Sequence, residues 1–397
     1  MTRWPCPIVD PADLARLVDA ARDADVLALD TEGDGFHRYR ARLCTIQLAW
    51  ARLPGEADRG AEHPGADDAV VIDPLADLDL AALAPLLGAD GPLKLIHDLT
   101  FDVKMLATRG LRLERVYDTA AAARLLGEPS TGLAALVEAH LGVDLDKGDQ
   151  LADWAERPLP AARLAYLLDD VRHLPGLHRA LEHEAQEQDL EDEVAVEMAY
   201  VLERAGSAEA TRPPWTKLPG IRDLSAEEQA VARALANLRE RIAEERDVPP
   251  HRVLSHRALI AVARRRPPDP DALSRVRGAR RMPVRAVLEA VEEGRAAGEP
   301  PPREAAVLSP PAPPPEVRAD RKAREKRLRT WRTEEAERRG VTAHAVLPAH
   351  CLRELAREAP EGVEGLRAVP GLGARRLERY GERLLAVLAQ ASGEPGV

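Results

Sequence analysis

Asp30 and Glu32 close the stretch Val26-Leu27-Ala28-Leu29-Asp30-Thr31-Glu32, four apolar residues running into two carboxylates that flank a threonine. A buried strand ending in acid fits this pattern. Side chains alternate faces along a strand, so Asp30 and Glu32 point to one side, a pleat apart. Like charges held that close repel unless a cation lies between them, and a divalent metal is the simplest such cation. The same residues also describe a strand running out into a solvated acidic turn. Two further places combine carboxylates with structural signals. Asp102 follows the apolar run Leu93–Ile96 at the point where the period becomes helical. In Tyr166-Leu167-Leu168-Asp169-Asp170, positions 166 and 170 are i and i+4, so a phenol and a carboxylate share one helix face.

The elements that must position these groups follow from the same periodicities. A helix capped by Asp10 is expected over 10–23, and strands at 26–32, 42–50, 69–72 and 93–96, with a late strand near 113–117. Gly33, Gly35 and the basic loop His37-Arg38-Tyr39-Arg40 between the first two strands suggest a hairpin. Helices are expected over 75–87, 119–126, 131–141, 151–157 and 160–183, and strands followed mainly by helices describe a mixed α/β sheet covered by helices. Asp118 suits a cap for the helix after it, and His97 a packing residue behind a strand end. After Thr211-Arg212-Pro213-Pro214-Trp215 the pattern is all helical, at about 225–246, 255–264, 269–275 and 282–297. The proline-rich stretch around Pro300–Pro302 and Pro310–Pro315 reads as an extended linker over 298–317, before a second helical unit at 318–392.

The 397 residues suggest two to four domains, with cores built mainly from Ala, Leu and Val, since Phe, Trp and Tyr make up only 3%. Neither a membrane span nor a signal peptide is evident, so a cytoplasmic protein is expected. Three scattered cysteines argue against both a disulfide framework and a cysteine zinc site. The net charge of −11 hides a split: residues 1–200 carry 19 Lys+Arg against 38 Asp+Glu, a balance of −19, and the remainder carries 37 against 29, a balance of +8. An acidic half binds phosphate poorly unless metals occupy its carboxylates, whereas a basic half can hold a polyanion. Arg318–Arg329 is a dense basic run, seven cations against two acids. It suits a solvated helix face as well as phosphate contact.

Taken in order, Asp30/Glu32, Asp102 and Tyr166/Asp170 resemble the three motifs of the DEDD exonuclease superfamily. The string Leu145-Asp146-Lys147, Asp153-Trp154, Arg157-Pro158-Leu159, Tyr166 and Asp170-Val171 is similar to the ribonuclease D family, as are Arg42–Leu48 and His97…Phe101-Asp102. Tyrosine four residues before the last aspartate resembles the tyrosine subtype; Ala165 stands where the histidine subtype would carry its histidine. The resemblance implies a ribonuclease H-like exonuclease domain over 1–210. It also implies two divalent ions, Mg²⁺ or Mn²⁺, held by Asp30, Glu32, Asp102 and Asp170, with Tyr166 orienting the attacking water. Residues 213–297, including Trp215, Leu235, Asn237-Leu238-Arg239, Leu259 and Gly278, resemble an HRDC domain, and 318–392 a more divergent copy. The implied activity is 3′→5′ trimming of structured RNA, with tRNA precursors as substrate, by a monomer releasing nucleoside 5′-monophosphates. A DNA exonuclease of repair and a silent nucleic-acid scaffold are the rival readings. Arg38, Arg40 and Arg42, with Arg321, Lys322, Arg324, Lys326 and Arg327, are the candidate nucleic-acid contacts. Gly371-x-Gly373 suits either a phosphate cradle or a helix–helix turn.

Overall fold

In the computed structural model the described residues are 4, 6–52, 68–145, 152–207, 212–279, 282–308 and 313–390. Asp146 and Lys147 of the ribonuclease D-like string, and part of the proline-rich stretch, lie outside them. The chain forms two compact units. One comprises Met1–Gly33, Leu43–Ser207 and Pro314–Val397, and the other Asp34–Arg42 and Ala208–Pro313.

In the first unit, α1 (Pro11–Ala21) begins where the Asp10 carboxylate accepts from the Ala12 amide at 2.7 Å, and it buries Leu14, Leu17, Val18 and Ala21. β1 (Val26–Gly33), β2 (Leu43–Ala51) and β3 (Asp68–Ile72) are antiparallel neighbours. A single turn of 3₁₀ helix at Leu80–Leu83 leads into α2 (Ala84–Leu87), so the apolar stretch at 75–87 is helical only in its second half. β4 (Leu93–Ile96) then joins β1 in parallel and, after α3 (Thr100–Ala107), β5 (Val116–Asp118) joins β4. The strand order is β3-β2-β1-β4-β5. β1 is therefore central, which is why Val26–Leu29 are all apolar and buried. Its register sets Asp30 opposite Gln47 and Glu32 opposite Thr45, with an irregularity between Glu32 and Gly33 where the strand leaves the ladder.

Helices α4 (Thr119–Leu126), α5 (Leu133–Leu141), α6 (Ala161–Arg172), α7 (Leu174–Glu187) and α8 (Glu191–Gly206) cover the sheet. Two of the helices differ from expectation. The one expected over 160–183 is two helices, because Pro175 has no amide proton to continue the ladder and starts α7 instead. The one expected over 151–157 is irregular chain over its described residues, tied down by Arg157.

The second unit contains α9 (Ala226–Arg246), α10 (Pro250–Val253), α11 (His256–Arg265), α12 (Pro270–Ser274), α13 (Val284–Ala297) and α14 (Pro302–Leu308). A Ser225/Glu228 capping box starts α9, and Trp215, Leu235, Leu259 and Val262 lie in the core. Residues 302–308 fall within the expected linker, yet they form α14. The Glu304 carboxylate accepts from Trp215 Nε1 at 2.7 Å and from Arg233 at 2.9 Å through both nitrogens, and Leu308 is buried. Proline density misleads because Pro302 and Pro315 stand in first helical turns, where a missing N–H costs nothing.

Also in the first unit, α15 (Pro315–Arg339), α16 (Ala343–Val346), α17 (Ala349–Glu358), α18 (Val363–Arg367) and α19 (Ala374–Ala389) form a second helical module. Its core sets Trp331 edge-on to Tyr380 at 5.4 Å. This module packs on the exonuclease-like part. Thr342 Oγ1 donates to the Leu125 carbonyl at 2.6 Å, Arg379 bridges Asp189 and Glu193, and His350 stacks on Tyr200 at 3.6 Å. Gly373 has φ of +77°, and a Cβ there would meet Val196 of α8 at 2.8 Å. The Gly371-x-Gly373 turn thus serves close helix packing.

Candidate active site

Asp30 and Glu32 leave the carboxyl end of β1 on one face, as the alternation requires. Asp170, on α6, meets them there. One carboxylate oxygen from each of the three lies within 4.8 Å of the others, and all three residues keep some solvent exposure. Asp102 stands outside that triangle, buried in the first turn of α3, where Thr31 Oγ1 donates to it at 2.7 Å. A carboxylate near a helix N-terminus gains from the dipole as well. Thr31, the residue between the two acids, thus fixes the orientation of the third.

The electrostatics follow from crowding in a poorly solvated place. Burial, then the charges of Asp102, Asp170 and Glu32, hold the Asp30 carboxyl well above the ordinary range. Glu32 is pushed up to about 8 by burial and by Asp170 and Asp102. Asp102 and Asp170 rise to about 7, mainly through burial, against the opposing hydrogen bonds from Thr31 and Tyr166. Four carboxyls that resist losing protons together are a site wanting positive charge. All the donors are oxygens, which suits a hard divalent cation such as Mg²⁺ or Mn²⁺.

Tyr166 is one helical turn before Asp170 and hydrogen-bonds to it. Burial first, then the surrounding carboxylates, raise its phenol above the ordinary value, so it stays protonated. Its ring stacks on buried Trp154, with centroids 6.0 Å apart. Trp154 is held in turn by Arg157, which donates to the Trp154 carbonyl at 2.7 Å, to the Cys44 carbonyl at 2.8 Å, and to both oxygens of buried Asp73 at 2.6 and 2.7 Å. On the opposite flank, buried Asp118 caps α4 by accepting from the Ala120 and Ala121 amides, as expected. The same carboxylate also accepts from the Asp98 and Leu99 amides, which places α3 and hence Asp102. His97 packs behind, its Nδ1 2.9 Å from Thr119 Oγ1. Thr31 and Asp73 carry no local signal, because each is defined by a partner 71 or 84 positions away.

The candidate nucleic-acid contacts divide. Arg42 pairs with fully buried Asp34 at 2.8 Å, Arg38 with Asp34 and Asp247, and Arg40 with Glu244, all within the second unit. On α15, Arg321 pairs with Glu325, Arg324 donates to the Ala356 carbonyl, and Arg327 to the Val387 and Leu388 carbonyls. The last two therefore satisfy helix C-termini. Lys322 and Lys326 are exposed. A further basic stretch, outside the expected contacts, spans 256–281 with eight arginines against two acids. Arg257, Arg264, Arg275 and Arg277 are exposed there. A charge count over that window reveals it.

Residues 6–186 match the 3′-5′ exonuclease family, and residues 228–291 and 321–388 match the HRDC domain. A ribonuclease D of Gluconacetobacter diazotrophicus is 31% identical over 300 residues, 74% of this chain and 72% of that protein. Escherichia coli RNase D, described as an exoribonuclease involved in structured RNA processing, matches in structure with a TM-score of 0.68 at 25% identity. The match covers 98% of this chain and 99% of that one. A protein from Bifidobacterium adolescentis has the same fold, with a TM-score of 0.74 over 97% of both chains at 22% identity.

Proposed function

The chain belongs to the ribonuclease D family of 3′-5′ exonucleases, and from that premise we propose that it trims the 3′ ends of structured RNA, tRNA precursors among them, releasing nucleoside 5′-monophosphates. The observation that carries this reading is the meeting of Asp30, Glu32 and Asp170 within 4.8 Å, with Asp102 beside them. The E. coli relative's part in structured RNA processing supports the choice of substrate.

In this reading Asp30, Glu32 and Asp170 hold one divalent cation, and Asp102 with Asp30 a second. Bound there, the cations would supply Lewis-acid activation of water and neutralisation of charge on the phosphate and the departing 3′ oxygen. The protein's own groups supply position. The Tyr166 hydroxyl, kept protonated beside Asp170, orients the water by hydrogen bonding instead of taking its proton. Trp154, stacked on the Tyr166 ring and itself tied by Arg157, keeps that ring in place. Phe101, next to Asp102 and 47% exposed, offers a face on which the terminal base stacks. The exposed arginines of 257–277 and Lys322 and Lys326 gather the RNA body through its phosphates.

Degradation of a 3′-tailed RNA and a matched DNA, each with Mg²⁺, Mn²⁺ or EDTA, tests the proposal. Stepwise shortening of RNA with mononucleotide products, abolished by EDTA, is expected. Faster degradation of DNA would make this a DNA exonuclease, and cleavage indifferent to EDTA would remove the cations from the mechanism.

A further inference from the structure

Three helices bring together a second set of metal-type donors, on residues that play no part in the carboxylate site. Glu128 follows Gly127, the left-handed C-cap of α4; His140 lies in the last turn of α5; Glu184 lies on α7. One oxygen of each glutamate and one imidazole nitrogen all lie within 4.8 Å of one another. We propose that Glu128, His140 and Glu184 form a separate binding site for a transition-metal cation of the Zn²⁺ class, which staples α4, α5 and α7 together.

The donor chemistry separates this set from the first. Asp30, Glu32 and Asp170 offer oxygen alone, whereas here an imidazole joins two carboxylates, the mixture that favours Zn²⁺ over Mg²⁺. The geometry is close to what such an ion needs. His140 Nε2 stands 2.6 Å from Glu128 Oε1, and the Glu184 and Glu128 carboxyls are within hydrogen-bonding reach of each other. Ligand atoms about 2 Å from a tetrahedral ion stand about 3.3 Å apart, so the set, already within 4.8 Å, needs its spacings changed by no more than about 1.5 Å to fit around one. The Gln188 amide donates to Glu184 at 2.8 Å and holds that carboxylate in place. The Glu128 and His140 side chains are 14% and 18% exposed, reachable by an ion yet little screened by water. Three protein ligands leave a fourth position for water. Such an ion would brace both α7, which follows the helix bearing Tyr166 and Asp170, and α4, whose Leu125 carbonyl receives Thr342 of the second helical module.

The test uses the full chain carrying Asp30→Asn and Asp170→Asn, stripped with a chelator and titrated with ZnCl₂ by calorimetry and by thermal melting. About one zinc per chain and a rise in Tm are expected. Adding His140→Gln or, separately, Glu184→Gln should weaken zinc binding by about 100-fold or more, with the metal-free Tm and far-UV circular dichroism unchanged. Co²⁺ in the same parent chain gives an independent readout. A four-coordinate site with a nitrogen ligand absorbs strongly in the visible, and an all-oxygen octahedral one does not. A parent chain that takes up no zinc, or uptake unmoved by both glutamine variants, would reduce the cluster to a His140–Glu128 hydrogen bond and overturn the proposal.

Discussion

Asp30 sits where burial and three neighbouring carboxylates all oppose its charge, so without a cation it is a liability to the fold. For carboxyls whose folded pKa is raised, the folded state binds more protons than the unfolded one between the two values, and stability falls as pH rises through that window. The metal-free protein should accordingly lose stability from about pH 4.5 to about pH 8, the range set by Glu32. Its Tm in EDTA should fall across that range more steeply than that of Asp30→Asn. The stabilisation given by added Mg²⁺ should grow over the same range as protons leave, read as a widening Tm difference. Asp30→Asn should abolish cleavage while leaving RNA affinity within about twofold, because removing one cation ligand leaves the phosphate-binding surface intact. Tyr166→Phe keeps the Trp154 stack and removes only the hydroxyl, so kcat should drop by about 10²-fold, in the span of a positioned proton-handling group. A rise confined to KM, with kcat unchanged, would refute its orienting role. The alternation and the i, i+4 spacing make both residue pairs legible in the sequence. Thr31 and Asp73 stay hidden, since a hydrogen bond across 71 or 84 positions leaves no local pattern.

Among the elements, the loop carrying Trp154 has no regular structure of its own and takes its shape from Arg157 clamped to Asp73 and the Cys44 carbonyl. Arg157→Ala leaves buried Asp73 without its cation, a destabilisation of about 3 kcal/mol. Chemical denaturation should show that decrease, together with slower cleavage as Tyr166 is deprived of its support. Wild-type stability in this variant would refute the clamp. Asp118 does comparable work at the other flank, joining the start of α4 to the turn before α3. Helix capping there is readable from sequence because Asp precedes a helical run. Its second role is not, since the Asp98 and Leu99 amides reach it only after β4 and β5 have paired. Prolines at 302 and 315 show the converse error. Their density suggests extended chain, while Glu304 and Leu308 supply the contacts that make α14 a helix.

For the whole molecule, grouping in space departs from grouping by sequence. The second helical module belongs to the same unit as the sheet, and residues 34–42 belong with the first helical module. Cutting the chain after the sheet domain would strip α8 of Arg379 and His344, leaving buried Glu193 without its cation and buried Glu197 without its imidazole partner. The truncated form should melt well below the full chain. Arg275→Glu with Arg277→Glu should weaken binding of long RNA and lower its salt slope by about 1 for each phosphate no longer held, with hydrolysis of short oligonucleotides unchanged. Unaltered binding would move the RNA surface elsewhere. Short-range periodicity and capping signals in the sequence by itself determined most of the strands and helices and the acids at strand and helix ends, while the tyrosine subtype and the repeated helical modules were implied by the resemblance of its motifs to a known family. Tertiary structure alone decided that acids 140 positions apart share one cation-sized space, that Arg324 and Arg327 turn inward to helix ends, and that Gly373 meets α8. Such outcomes depend on which faces pack together, a property of the folded chain that no window of a few residues contains.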